Sequence, residues 1–432
     1  MSALLVLLYL IGLHTEIGAP FHIPCNFLLC GIVGLLMLVR WRHRATKPQV
    51  YALVGINLVS LATVVLSPNA SALWVEGFKA WLQLSYSLTV AYGLYLELST
   101  WQISRLSRWA GIAIIICLVG FTLEILLPPF KAFSDIIRIK LAGDSGVFLY
   151  GVGDEGGGVW SIERDLELAG HIRPNFFAKE PSHTAYTSVL VMMVWYGLSS
   201  MKYKPLLYAG ALIIAMKLTG SPTMLCAGAV LGATWVDDLL TPGIGRRAWR
   251  IKLAVGLAST VVAAGIAMTL FGSRFFSKEP DMSTCLRTTL PYQMVLWTFR
   301  EYPAFGIGLG EFENCQDVAR QGAINLAVDR GLAGEVVDDG GNGNMLCNAF
   351  CEIPMYYGMI GSLALLYYLI KVVKHFGTVG YCYSAIILCA LLNSFGCMMS
   401  VRGWTSLMLI QIIMLARFNG RSQAVPQIVT IP

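Results

Sequence analysis

Hydrophobic residues fall into long, nearly uninterrupted blocks, with the polar residues gathered in the gaps between them. The blocks run roughly over 2–18, 23–40, 50–67, 73–96, 107–127, 183–200, 206–218, 221–237, 252–272, 349–370, 380–399 and 403–417. Most approach the ~20 residues an α-helix needs to cross a hydrocarbon core about 30 Å thick. They lack the alternation of a lipid-facing barrel, so the backbone has to close its hydrogen bonds within helices. The pattern predicts an all-α, polytopic integral membrane protein with about 12 transmembrane helices. The pair 206–218 and 221–237 is short, with Thr219-Gly220-Ser221-Pro222 as the only turn between them, and also fits one broken or re-entrant element.

Two connections are far longer than the rest and divide the chain. N-terminal helices occupy 1–127, a first large loop 128–182, central helices 183–272, a second large loop 273–348, and C-terminal helices with a tail 349–432. Basic residues sort the connections into two sides. Arg40, Arg42 and Arg44, then Arg105 and Arg108, Lys202 and Lys204, Arg246, Arg247 and Arg250, and Lys371 and Lys374 occupy every second one, and Arg417 and Arg421 lie in the tail. Lys and Arg concentrate on the cytoplasmic side, so these connections and both termini face inward and the two large loops face outward. Loops of that length are usually functional.

Composition agrees with the pattern: 56% of residues are hydrophobic and only 13% charged, and the mean hydropathy is +0.65. A soluble chain of this length would carry nearly twice the charge. The formal net charge of +6 fits an anionic partner, but basic residues at the inner ends of spans explain most of it. The inward loops hold no Asp-x-Asp and no nucleotide fold, and six histidines show no metal-binding spacing, so cytoplasmic nucleotide-sugar chemistry, nucleic-acid binding and a metal centre are not expected. The 11 cysteines lie mostly inside apolar blocks and form no Cys-x-x-Cys; a disulfide among Cys285, Cys315, Cys347 and Cys351 is compatible with an outward loop. Met1 to Leu13 has neither a basic start nor a small-residue cleavage site and reads as a retained first span.

Candidate chemistry sits at the ends of the two large loops. Arg173, Arg274 and Arg287 lie in them, close to span ends, and Arg402 at the outward turn between the last two spans. Guanidinium is always charged and binds phosphate through two hydrogen bonds, so the set favours a pyrophosphate-like group, although any one arginine equally suits pairing with Glu180, Asp281 or Glu301. Glu180, beside Pro181, Ser182 and His183, supports two readings: a partly desolvated carboxylate able to take a proton from a hydroxyl, or part of an ordinary helix start. Glu311, Glu313 and Glu352 are further carboxylates, and Glu124, near the outward end of its block, is expected to be solvated. Gly306, Gly308 and Gly310 follow no strand and precede no Lys-Ser/Thr, so they form a tight turn letting backbone approach a ligand or the preceding helix, not a phosphate loop. Tyr292, Trp297, Phe299, Tyr302, Phe305 and Phe312 surround that turn, suiting either sugar stacking or the commoner interfacial belt.

These residues form one ordered series: Arg173 through Glu180-Pro181-Ser182; then Arg287, Trp297, Pro303, Gly306, Gly308, Gly310 and Phe312; then Asn348, Gly358 and Gly361. The series spans nearly the whole chain and resembles the O-antigen polymerase and ligase superfamily, in particular the Wzy-type polysaccharide polymerases, with a layout close to those of xanthan-type exopolysaccharide systems. Where that family places a histidine this chain has Cys347, which tilts the resemblance from ligase toward polymerase. The resemblance implies a cofactor-free, metal-independent enzyme of the bacterial inner membrane. It would polymerise undecaprenyl-pyrophosphate-linked oligosaccharide units at the periplasmic face by block transfer. Arg173 and Arg287, with Arg274 and Arg402, would hold the pyrophosphate; Glu180 would activate the acceptor hydroxyl; Gly306, Gly308, Gly310 and Asn348 would shape the substrate turn. Implied partners are the lipid-linked oligosaccharide, membrane lipids, and flippase and chain-length or export proteins, with no nucleic acid. Alternatives are ligase-like glycan transfer, a transporter or flippase, and a non-catalytic component of an export complex. A transporter predicts inverted repeats and mid-membrane charges, neither of which is evident.

Overall fold

The computed structural model describes residues 2–15, 28–68, 70–142, 165–166, 170–178, 181–239, 250–251, 254, 265, 282–329, 348–377, 380–394 and 398–424. Among the described residues every regular element is helical. In chain order these are α1 (Ser2–Thr15), α2 (Leu28–Trp41), α3 (Lys47–Val65), α4 (Ala70–Leu98), α5 (Ile103–Leu126), α6 (Pro128–Ala142), α7 (Pro181–Leu198), α8 (Lys204–Thr219), α9 (Leu225–Leu239), α10 (Met282–Glu301), α11 (Gln316–Asp329), α12 (Ala349–Val372), α13 (Tyr381–Leu392) and α14 (Val401–Ala424). Among the described residues three helices are long and apolar enough to cross a membrane: Lys47–Val65, Ile103–Leu126 and Ala349–Gly377. Ser2–Thr15, Pro222–Val236 and Tyr381–Leu392 are apolar but shorter. Most of the apolar block 252–272 lies outside the described residues.

The sequence accounts for the ends of these helices. Thr46 and Gln49 close a reciprocal capping box on α3, with proline in its first turn. The short pair 206–218 and 221–237 forms two helices, because Gly220 adopts the left-handed conformation that ends α8 and a single turn at Pro222–Met224 starts α9. The two large connections are not structureless: α6 lies in the first, α10 and α11 in the second.

Helices pack through small residues, as in a bundle where lipid supplies no hydrophobic drive toward association. Gly34 of α2 meets Gly93 of α4 backbone to backbone, and Gly31 seats Tyr86. Gly55 of α3 seats Tyr368 of α12, where Ser60 and Tyr357 share a buried hydrogen bond of 2.6 Å. Large apolar side chains such as Leu36, Val39, Leu58, Ile115, Val119 and Leu363 remain exposed on the outside. An apolar outer surface of this extent suits lipid and not water.

α12 is broken in its middle. Gly358 has φ 59° and ψ −164°, a region open essentially to glycine alone, with Pro354 one turn earlier. The break frees backbone groups that the segment 303–307 takes up: Met359 N–H donates to the Pro303 carbonyl (2.8 Å), Ile360 N–H to Ala304 (2.9 Å), and Ile307 N–H to Met355 (2.9 Å). Ser362 Oγ reaches the Ile353 carbonyl at 3.5 Å.

A Cβ on residue 358 would meet the Gly306 nitrogen and lie 2.7 Å from the Ala304 carbonyl carbon. Gly358→Ala is therefore expected to destabilise the protein by more than about 3 kcal/mol, combining backbone strain with overpacking. Gly228→Ala in α9, whose Cβ meets nothing within 4 Å, should be neutral or gain about 0.5–1 kcal/mol. Thermal unfolding of both variants in detergent checks this; equal melting temperatures would refute it.

Candidate functional site

The end of the first large connection folds back onto the bundle through buried charges. Arg173 is 4% exposed, and its Nε donates to Asp165 Oδ1 at 2.6 Å while its backbone N–H donates to Oδ2 at 3.0 Å. Two residues on, Asn175 N–H (2.7 Å) and Phe176 N–H (2.9 Å) both donate to Glu124 Oε2, in the last turn of α5. Phe177 N–H follows with a bond of 3.0 Å to Ser134 of α6. Phe176 and Phe177 have φ of 44° and 67°, left-handed values that non-glycine residues adopt only when surrounding structure imposes them. The imposing groups are Glu124 and Ser134, whose oxygens collect three successive N–H groups. Glu124 is accordingly buried, not solvated as its place near a block end implied.

The same turn touches two other helices. His14 Nε2 of α1 lies 2.5 Å from the Phe176 carbonyl, and Thr184 of α7 donates to the Asn175 carbonyl. One turn into α7, Tyr186 OH bonds Ser406 and, at 3.0 Å, the Arg402 carbonyl, while the Arg402 guanidinium stands 5.7 Å above the Tyr186 ring. Arg402 is buried, in the first turn of α14. The first connection and the start of α14 thus both pack on the N-terminal half of α7, the former at Thr184 and the latter at Tyr186.

The second connection leads into α12, which holds the turn before α14. Glu352 in the first turn of α12 is buried and accepts Met398 N–H at 2.6 Å, holding the turn that leads into Arg402. Asn348 caps α12, accepting from Phe350 (3.1 Å) and Cys351 (3.2 Å), and its Nδ2 donates to Asn393 at the end of α13 (3.2 Å). Tyr292 OH of α10 donates to the same Asn393 oxygen at 2.8 Å. α10, which carries Arg287, is thereby tied to α12 and α13.

Gly306, Gly308 and Gly310 have φ of 70°, 93° and 76°. Their turn approaches α12, Ser67 beyond the end of α3, and α4, where Gly310 faces Ala80. It is thus a wedge between helices, and it packs on α12, two helices further along the chain. Glu311 at its end is 1% exposed; Asn314 Nδ2 reaches its Oε2 at 3.2 Å and the Ile307 carbonyl at 2.8 Å. Burial lifts the Glu311 carboxyl above the usual carboxylate range, with Ser67 and Asn314 offsetting part of the rise.

Glu180, Arg274 and Cys347 lie outside the described residues, as does the side chain of Arg287. Cys315 and Cys351 are free thiols. Among the described residues no group of His, Cys, Asp and Glu has the geometry of a metal site. Sequence reasoning did not select Asp165 or His14, and undervalued Glu124 and Glu352. An acid within or at the edge of an apolar block was the available signal, since such a group persists only with partners.

A family model described as WcaD colanic acid polymerase matches residues 1–418. No curated protein and no solved structure matches the chain. The chain belongs to this family of polysaccharide polymerases, in agreement with the Wzy-type resemblance of its motifs.

Two outcomes follow from the geometry. Arg173→Met leaves Asp165 buried without its guanidinium and should cost roughly 3–5 kcal/mol, whereas Arg173→Met with Asp165→Leu should recover most of that loss. A double-mutant cycle on unfolding in detergent measures it, and additive costs would contradict the buried pair. For Glu311, a carboxyl raised in the folded state binds its proton more tightly there than in the unfolded chain. Stability is therefore greatest at low pH and falls as pH rises from about 4.5 through the folded-state value, by about 1.4 kcal/mol per unit of elevation. Glu311→Gln should exceed wild type in melting temperature at pH 7 and converge with it toward pH 4.5; parallel profiles would refute the burial effect.

Proposed function

We propose that this member of the WcaD colanic acid polymerase family joins undecaprenyl-pyrophosphate-linked oligosaccharide units into exopolysaccharide at the periplasmic face of the inner membrane. The observation that carries the reading is the family match over residues 1–418, and the buried Arg402 guanidinium, 5.7 Å over the Tyr186 ring of α7, supports it. The tie from α10 through Asn393 to the cap of α12 supports the same reading for Arg287.

The acceptor's sugar hydroxyl attacks the anomeric carbon of the growing chain. A carbon–oxygen bond forms there as the bond to the lipid pyrophosphate breaks, and the electron pair leaves with the pyrophosphate. The hydroxyl proton passes to a base, a role for Glu180. Arg287, Arg274 and Arg402 stabilise the charge gathering on the leaving group, the kind of electrostatic assistance whose loss costs about 10²–10³ in rate per donor. Arg173, already engaged by Asp165, supplies positive charge and fixes the loop. The growing chain thus transfers as a block to the next lipid-linked unit, with no metal taking part.

Cells lacking the protein should accumulate single repeat units on lipid and no polymer. Wild type restores polymer, and Arg287→Ala does so at about a hundredth of the wild-type rate or less, while still reaching the membrane. Extraction of lipid-linked saccharides and chain-length analysis measure both. Long polymer retained on lipid in the deletion strain would assign the protein to ligation or export instead. Full activity in Glu180→Gln would remove the base from the mechanism and leave the arginines.

A further inference from the structure

The helix that opens the first large connection has its polarity inverted for a helix in water. α6 begins with two prolines, Pro128 and Pro129, in its first turn. Among its described side chains Pro129, Ala132, Phe133 and Ile136 are exposed, Phe133 and Ile136 each at 52%. Their spacing puts them on one face of the helix. That face carries no polar group, whereas a solvated helix turns its polar face outward.

The polar residues of α6 lie elsewhere. Ser134, on the opposite side, is fully buried and accepts the Phe177 N–H at 3.0 Å. Lys131 and Asp135 pair with each other at 3.2 Å on a half-buried flank. Phe130 and Phe133 meet the Phe177 ring edge-on from the same helix. α6 thus grips the turn at Phe176 and Phe177 with one side and presents bare hydrocarbon with the other.

Two observations identify what covers the exposed side. α5 is a candidate membrane span, and its own exposed stripe, Ile112, Ile115, Ile116, Val119 and Leu126, is apolar up to its outward end. A single residue, Leu127, separates that end from α6, so α6 starts where the span leaves the bilayer. Leu127 is itself exposed, and the apolar exterior passes through it to Phe133 and Ile136 with no exposed polar residue between. A face without hydrogen-bonding groups, continuous with the outside of a span, complements the acyl chains of the lipid that surrounds that span.

We propose that α6 lies in the outer-leaflet interface, with Pro129, Ala132, Phe133 and Ile136 in the upper acyl layer and Lys131 and Asp135 at headgroup level. A helix of this kind sinks its apolar face about 5–10 Å into the boundary between headgroups and acyl chains. Because Ser134 holds Phe177, the bilayer then sets the height of the turn that follows Arg173. The start of the first large connection is anchored in lipid and not suspended in water, whatever reaction the protein catalyses.

A fluorescent amino acid placed singly at Phe133, at Ile136 and, as a mid-span reference, at Ile115 tests this in the full chain reconstituted in nanodiscs. All three side chains are exposed, and an unchanged melting temperature in detergent verifies the fold of each variant. Quenching is read with lipids carrying a nitroxide high on the acyl chain, with lipids carrying it near the chain end, and with iodide in the water. Labels at Phe133 and Ile136 should respond at least about twofold more to the high nitroxide than to the deep one or to iodide. The label at Ile115 should respond most to the deep nitroxide. Iodide as the strongest quencher at Phe133 and Ile136 overturns the proposal by placing α6 in water. Protection from all three quenchers overturns it in favour of a protein partner or a second copy of this chain. A strongest response to the deep nitroxide also overturns it, by making α6 part of a span.

Discussion

The break in α12 at Gly358 is the constraint on which the arrangement depends. Inside a bilayer or a packed bundle, each unmet backbone N–H or carbonyl costs several kcal/mol, so a spanning helix can be interrupted only where other protein groups take over its hydrogen bonds. Here the segment 303–307 supplies them, through the Pro303 and Ala304 carbonyls and the Ile307 N–H. The second large connection is thereby fixed to the middle of a candidate membrane span. The positive φ values of Gly306, Gly308 and Gly310 allow that segment to turn tightly enough to reach α12 on one side and α4 on the other.

Buried carboxylates perform the corresponding task at the other connections. Glu124 and Asp165 gather the backbone of 173–176, and Glu352 fixes Met398. A carboxylate that accepts backbone N–H bonds in a low-dielectric setting is a strong and specific tether, since removing the donors would strand its charge. The Glu352 tether holds the turn that precedes the first turn of α14, where Arg402 lies.

Much of this was legible before any coordinates. Apolar blocks marked the helices because lipid and helix packing both select long apolar runs; 73–96 and 107–127 correspond closely to Ala70–Leu98 and Ile103–Leu126. The Arg173 to Gly361 series pointed to the polymerase family, to which the family model over residues 1–418 assigns the chain. The triple-glycine turn was recognisable as a tight turn. Its partner was not: nothing in the spacing of Gly306 and Gly358 says that their backbones meet, because that contact joins segments separated by about fifty residues.

The amino-acid sequence by itself determined the helical class, the apolar exterior and the polymerase family, all properties of local composition and motif. Only the tertiary structure decided which charges are spent on holding the fold. Arg173 and Glu124 look alike in sequence as isolated charges near apolar blocks, and both prove to be engaged, one by Asp165 and the other by the N–H groups of Asn175 and Phe176. The physical reason is that the state of a buried charge depends on its partners across the bundle, and those partners are set by packing and not by sequence distance.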